Sequence, residues 1–349
     1  MLSLPPVRSL LTPRSLLGLG LSAIAVLLTL RGVHLDQVAA SMGQASLPLV
    51  LAATASGLLA TVVSTVRWRL LLWPHRGPLG RLTAIFFISQ MCNAVLPGKL
   101  GAPLRAALTS RVTGSALTFA LGSVVIERVL DSALIAALSA ALLLLLPVPQ
   151  AVGNLGRETV LIAVGVLLII VLAAFFKEQI ARPARFVINR LRLPTSAGGM
   201  LDALDVLRRR GTYPPLLLSS LLIWFLGVVT NDLMLRALHL STPWWTAAVL
   251  LVALQLGGKL PSSPGNIGVF HYIAVLVLTD IGVDTSLALA YAVILHIAVF
   301  IVPAVVGGMC LWWLSLTMGA DALIGATALP VTDPALVVEQ TPSVDQPRL

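Results

Sequence analysis

Glu127, Arg128 and Asp131 stand inside "VVIERVLDSALIAAL", a stretch otherwise built almost wholly of apolar and small residues. On a helix Glu127 and Asp131 fall one turn apart on one face, with Arg128 within pairing reach of Asp131. A charge carried into a bilayer costs about 2.5–3.5 kcal/mol on insertion scales, so such groups persist with a partner or a task. The chemistry open to them is a proton or cation relay, or neutralisation of a cation elsewhere in the chain. The structural alternative is an ion pair that locks two helices together.

Candidate cations lie in "CNAVLPGKLGAPLR", Cys92 to Arg105, where two prolines, two glycines, Asn93, Lys99 and Arg105 interrupt an apolar run. A related interruption, "KLPSSPGNIGVFHY", spans Lys259 to Tyr272. Pro97-Gly98-Lys99-Leu100-Gly101 aligns with Pro264-Gly265-Asn266-Ile267-Gly268 as Pro-Gly-polar-aliphatic-Gly. Proline removes a donor and glycine permits positive φ, so each stretch is suited to a sharp turn with exposed amides. A half-helix starting after such a turn aims its positive end at an anion. The candidate substrate-binding residues are therefore Asn93, Pro97, Gly98, Lys99, Gly101 and Arg105 from the first stretch, with Pro264, Gly265, Asn266, Gly268 and His271 from the second. The alternative is that Pro-Gly marks two ordinary surface loops.

Other chemistry is sparse. Asp232 and Arg236 form an i,i+4 pair near a span end, and His296 stands alone in an apolar helix, as a hydrogen-bonded core residue would. Ser262 and Ser263 lie near His271, but no acid is placed to orient that histidine. There is no Gly-x-Ser-x-Gly, His-Glu-x-x-His or phosphate-binding Walker loop. Cys92 and Cys310, both in apolar sequence, suggest neither a disulfide framework nor a zinc site. No enzyme activity, metal or cofactor is expected.

The elements that carry these residues are membrane helices. The chain is 58% hydrophobic and 11% charged, with mean hydropathy +0.97, whereas soluble domains carry roughly 25% charged residues. The net charge of +9 comes mostly from arginines in short loops, where they orient a chain in the bilayer rather than bind nucleic acid. Spans are expected at about 15–30, 47–66, 128–146, 159–176, 214–235 and 244–260, with further apolar segments at 267–279 and 286–316. Segment 82–111 is expected to enter, break at Pro97–Gly101 and return. Arg67, Arg69, Arg76 and Arg81 mark a cytoplasmic loop, and Lys177–Thr212 a second one with eight basic residues against three acidic. Within the second, Met200, Leu201, Leu204 and Leu207 recur at helical spacing, as in an amphipathic interfacial helix; an ordinary charged loop is the alternative. The N-terminus is then cytoplasmic, and Trp244 and Trp245 fit an external aromatic belt.

Counting crossings brings the first broken stretch in from the cytoplasm and the second from outside, as an inverted-topology repeat would. The expected fold is all-α and polytopic, with about six to nine membrane segments and two broken or re-entrant Pro-Gly helices. Residues 1–316 form one integral membrane domain, and 317–349 a disordered tail.

Three blocks carry a resemblance to a known family: Asn93-x-x-x-Pro97-Gly98-Lys99-x-Gly101-x-x-x-Arg105, Glu127-Arg128-x-x-Asp131, and Pro261-x-x-Pro264-Gly265-Asn266-Ile267-Gly268. In order and with the span pattern they resemble the lysylphosphatidylglycerol synthase transmembrane region, also called the flippase-like or UPF0104 membrane family. That resemblance implies a bacterial or archaeal inner-membrane protein associated with moving lipid between leaflets. Some members are fused to a soluble aminoacyl-transferase domain; this sequence shows none, so synthesis of the lysyl lipid is not expected of it. The family's acid after the first motif is replaced by Ala102, and one near the second by His271, leaving the region more positive. The expected function is a lipid translocator that grips an anionic or polyprenyl-type headgroup with cationic broken helices. The alternative is a non-catalytic membrane subunit of a lipid-modifying enzyme or glycosyltransferase.

Overall fold

The computed structural model describes residues 13–96, 99–145, 199–260 and 262–318. Pro97, Gly98, Pro261, the expected span at 159–176, residues 177–198 of the basic segment 177–212 and the tail beyond 318 lie outside the described residues.

Every regular element among the described residues is helical. The first are α1 (Pro13–Thr29), α2 (Leu35–Gly43), α3 (Leu47–Leu71), α4 (Leu79–Val95), α5 (Gly101–Thr113) and α6 (Leu117–Leu145). A helical turn at Gly199–Asp202 runs into 3₁₀ turns at Ala203–Arg208 and Arg210–Thr212. Then come α7 (Tyr213–Ala237), α8 (Thr246–Gly257), a 3₁₀ turn at Pro264–Asn266, α9 (Val269–Asp280) and α10 (Thr285–His296), which passes through a π turn at Ile297–Ile301 into α11 (Val302–Met318). Among the described residues α3, α7 and the continuous 285–317 rod are long and apolar enough to cross a membrane.

Local chemistry accounts for the boundaries. Prolines occupy the first turns of α3 and α7, where the missing N–H is no loss. Asp284 caps α10, its carboxylate accepting from the amides of Ser286 at 2.8 Å and Leu287 at 3.2 Å. Pro303 lies at the π turn, where α-helical hydrogen bonding is already broken.

Two apolar cores result. One gathers Met234, Leu250, Phe270, Leu278, Tyr291 and Leu295 from α7 to α10. The other gathers Trp68, Leu82, Ile85, Ala106, Phe119 and Ala203 from α3 to α6 and the 199–208 turns. Helix α3 joins them by running along α7, where the Ser56 hydroxyl donates to the Leu226 carbonyl at 3.0 Å. Helix α11 lies along α4, and Gly307 lets their backbones approach, because a side chain there would meet the Phe87 carbonyl.

Four expectations need correction. The second span does not stop at Val66: α3 continues to Leu71, so Arg67 is a buried helical residue, 1% exposed, and not part of a loop. Hydropathy ends a span at its first charge, but this charge is compensated internally. The span expected at 128–146 begins earlier: α6 is one 29-residue helix from Leu117, roughly 43 Å long at 1.5 Å per residue. Glu127 and Asp131 therefore sit in its interior. The segment 199–208 is not one α-helix: a single helical turn passes into a 3₁₀ turn, with Ala203, Leu204 and Val206 buried and Gly122 of α6 leaving room for Ala203. Helix α2 was not expected; it carries Asp36 and Gln37 and so lacks an apolar signal.

Candidate functional site

The first broken stretch folds back on itself. The chain leaves α4, turns through Lys99 at φ 54°, and starts α5 against the helix it has just left. Asn93 closes the turn by accepting from the Gly101 amide at 2.9 Å. Gly101 is required there, because a Cβ would run into the Ser89 carbonyl and come within 2.6 Å of Asn93 Oδ1.

The second stretch shares this left-handed turn residue. Asn266, at the position of Lys99, has φ 56°. Two non-glycine residues in the left-handed region at matched positions of a five-residue pattern is uncommon, since few such residues have positive φ. Here the Asn266 carboxamide oxygen accepts from the Ser262 hydroxyl at 2.6 Å, and the Ser263 hydroxyl donates to the Ile267 carbonyl at 2.9 Å. The Ser263 amide donates to the Ser22 hydroxyl of α1 at 2.8 Å.

The two stretches meet. Lys99 Nζ donates to the carbonyl of Gly258, at the end of α8. A Cβ on Gly265 would lie 3.3 Å from the Ala94 carbonyl of α4. Lys259 Nζ reaches Ser132 of α6 at 3.2 Å, and Arg128 is within electrostatic reach of both lysines. Three cations from three elements thus lie near the contact, with Asp131 in reach of Lys259, and all three cations are exposed.

The charged group on α6 is organised differently from the expected Arg128–Asp131 pair. Asp131 bonds Arg67 at 2.6 Å, Glu127 lies 3.6 Å from Arg67 and also pairs with Arg105, and Arg128 points to the exposed side. Arg105 is sandwiched between Trp68 and Phe86, 4.5 and 4.6 Å from their ring centroids, and is 3% exposed. The four charges sum to zero, as burial demands. Arg67 also donates to the Ser220 hydroxyl at 3.2 Å, while its Nε has no partner among the described residues. Arg105 is thus committed to Glu127, which leaves Lys99 as the accessible cation of the first stretch.

His296 is not alone. Its Nε2 donates to the Gly265 carbonyl at 2.8 Å, its ring stacks on Phe300 at 4.7 Å, and His271 lies 4.9 Å away between centroids. Asp232 and Arg236 form the expected exposed pair, at 2.7 Å.

A cavity of about 270 Å³ opens beside the second stretch, lined by residues including Thr61, Gln90, Asn231, Gln255, Asn266, Phe270 and Phe300. Of its amides Asn266 is an expected site residue, whereas Gln90, Asn231 and Gln255 were not singled out for binding, because each stands in an apolar helix. The signal available was the recurrence of such lone amides, at Gln90, Asn231 and Gln255. Asn231 is fixed by Tyr291, whose buried hydroxyl donates to its Oδ1 at 2.7 Å. Tyr291→Phe leaves that buried oxygen without its partner, at a cost of about 1–3 kcal/mol; a lower melting temperature in detergent, at unchanged secondary structure, is the expected result. On the far side of α8 and α9, Leu21, Ile24, Leu28, Leu256, Val269 and Ile273 help to line an apolar groove of about 250 Å³.

Residues 15–307 match the model of the family described as Lysylphosphatidylglycerol synthase TM region. A curated relative, "Glycosyltransferase AglD" of Haloferax volcanii, is 25% identical over 342 residues, covering 87% of this chain. The chain spans 55% of that relative's length.

Proposed function

We propose a function from one premise: this chain belongs to the lysylphosphatidylglycerol synthase TM region family and is a membrane protein. It acts without covalent chemistry, carrying an anionic or polyprenyl-type lipid between leaflets. The headgroup enters where the two broken helical stretches touch. The observation that carries this reading is the meeting of Lys99 with the Gly258 carbonyl, with Lys259 and Arg128 beside it.

The parts divide the work. Lys99 supplies positive charge outside the Arg67–Asp131 and Arg105–Glu127 pairs, and Lys259 and Arg128 add to it with Asp131 as their neighbouring carboxylate. Backbone amides near Gly265 and Gly268 add donors at an irregular segment, which membranes tolerate where it is buried in protein or lines a cavity. The neutral four-charge network holds α3, α5 and α6 in register beneath the site. The apolar groove along α1 and α9 suits the tail. The arginine distribution puts the N-terminus and the loop after α3 on the cytoplasmic side, and the family resemblance favours a bacterial inner membrane.

The test is a headgroup-accessibility assay in proteoliposomes, using phosphatidylglycerol with a fluorescent headgroup. Lys99→Gln is the variant, since an amide can still donate to Gly258 but carries no charge. Losing one charge-assisted contact lowers the translocation rate roughly tenfold or more. Equal rates for wild type and Lys99→Gln would remove Lys99 from the site.

The relative's printed name favours a second reading, in which this membrane domain serves a glycosyltransferase as a non-catalytic lipid-presenting part. That reading expects co-purification with such an enzyme and no translocation by the isolated chain.

A further inference from the structure

The cavity beside the second broken stretch differs chemically from the cationic contact next to it. Its polar lining is uncharged: Thr61, Gln90, Gln255 and Asn266 supply hydroxyl and amide groups, and Phe270 and Phe300 supply ring surface. Those groups have capacity to spare. The Gln255 side chain has no partner among the described residues. Gln90 uses one N–H, donated to Thr61 at 3.2 Å. Asn266 accepts from Ser262 with its oxygen, leaving its NH₂ group to donate.

We infer that this cavity binds a neutral, hydroxyl-rich ring, a single sugar or polyol unit carried on the lipid headgroup. The inference rests on the reading that a lipid headgroup enters between the broken stretches. A hydroxyl both donates and accepts, as carboxamides do, so amides pair with polyols without a net charge to satisfy. An anionic headgroup alone would leave these amides poorly matched, while a sugar ring can lay its C–H face on Phe270 or Phe300. The volume, about 270 Å³, is just below the roughly 300–1,000 Å³ of ligand cavities, which suits one ring rather than an oligosaccharide. Gly258 gives the connection: it lines the cavity, and its carbonyl receives Lys99. A phosphate at Lys99 therefore places the next group of a phosphate-linked sugar lipid at the cavity mouth.

The experiment measures binding of two probes to the purified full chain in detergent: a polyprenyl monophosphate, and the same lipid carrying one glucose on the phosphate. Wild type is expected to prefer the glucosylated lipid by about tenfold or more, the worth of one to two well-made hydrogen bonds. Gln255→Leu and Gln90→Leu are expected to erase that preference. The ratio is taken within each variant, so a general loss of folded protein cancels. Equal affinity of wild type for both lipids would overturn the inference while leaving the phosphate site standing, and so would a preference that both variants retain. Failure of both lipids to bind would overturn the underlying headgroup reading and the inference with it. If free glucose abolishes the preference at concentrations similar to the glucosylated lipid, the cavity takes a soluble sugar and the lipid-borne form is wrong.

Discussion

Arg67→Met is expected to destabilise the protein by about 3–5 kcal/mol, the usual result of removing one partner from a buried ion pair. Arg67 is 1% exposed and bonds Asp131 at 2.6 Å with Glu127 at 3.6 Å. Glu127 keeps Arg105 when Arg67 is gone, so the stranded charge belongs to Asp131, whose side chain is 28% exposed. The loss follows from net charge rather than from one contact, and this gives the prediction its internal control. Arg67→Met with Asp131→Leu restores a neutral group and is expected to recover most of the stability. Arg67→Lys should fall between, since a single ammonium cannot serve both the carboxylates that Nη2 meets and the Ser220 hydroxyl that Nη1 meets. Melting of the three variants in detergent, followed by tryptophan fluorescence, checks the order. If Arg67→Met melts with wild type, the network is not the lock between α3 and α6.

The helical architecture was legible because each span is an apolar run. The two turns were legible because glycine is needed where φ is positive or backbones touch, as at Gly101, Gly265 and Gly268. What stayed hidden was long-range pairing. Arg67 followed the last apolar residue of an expected span and read as a loop arginine; only α6, folded against α3, supplies its carboxylates. Arg105 read as a free cation for the same reason, since its partner Glu127 and its flanking rings Trp68 and Phe86 come from three other helices. The Gly265–His296 bond joins residues on two elements with nothing in their local sequence to connect them. The cavity was hidden because Gln90 and Gln255, each alone in a hydrophobic helix, reveal nothing until those helices are placed side by side. Local chemistry could be read along the chain, while complementarity between helices needed their packing.

Gly268→Ala tests that packing where α1 is seated on the second stretch. Gly268 has φ 89°, a region costing a non-glycine residue about 1–3 kcal/mol. Its Cβ would also stand 2.5 Å from the carbonyl oxygen of Ser22 and 3.0 Å from Val26 Cγ2, both on α1. A flexible side chain could swing aside, but a helix carbonyl cannot. Retreat of α1 is opposed by the Ser263 amide bonded to the Ser22 hydroxyl, and Gly18 of the same helix already lies so near Ser262 that a Cβ there would be 3.0 Å from its amide. The substitution must therefore either twist the second broken stretch or detach α1 from it. The expected result is a melting temperature well below wild type, with a loss at least as large as that of Arg67→Met. Gly101→Ala should behave alike, because its Cβ would meet the Ser89 carbonyl and Asn93 Oδ1 in the first stretch. Gly20→Ala is the control: nothing lies within 4 Å of a Cβ there, and alanine favours a helix over glycine by about 1 kcal/mol, so its melt should match or exceed wild type. Should Gly268→Ala melt like Gly20→Ala, α1 would not be seated on the second stretch, and the groove assigned to the lipid tail would lose the helix that forms one of its walls.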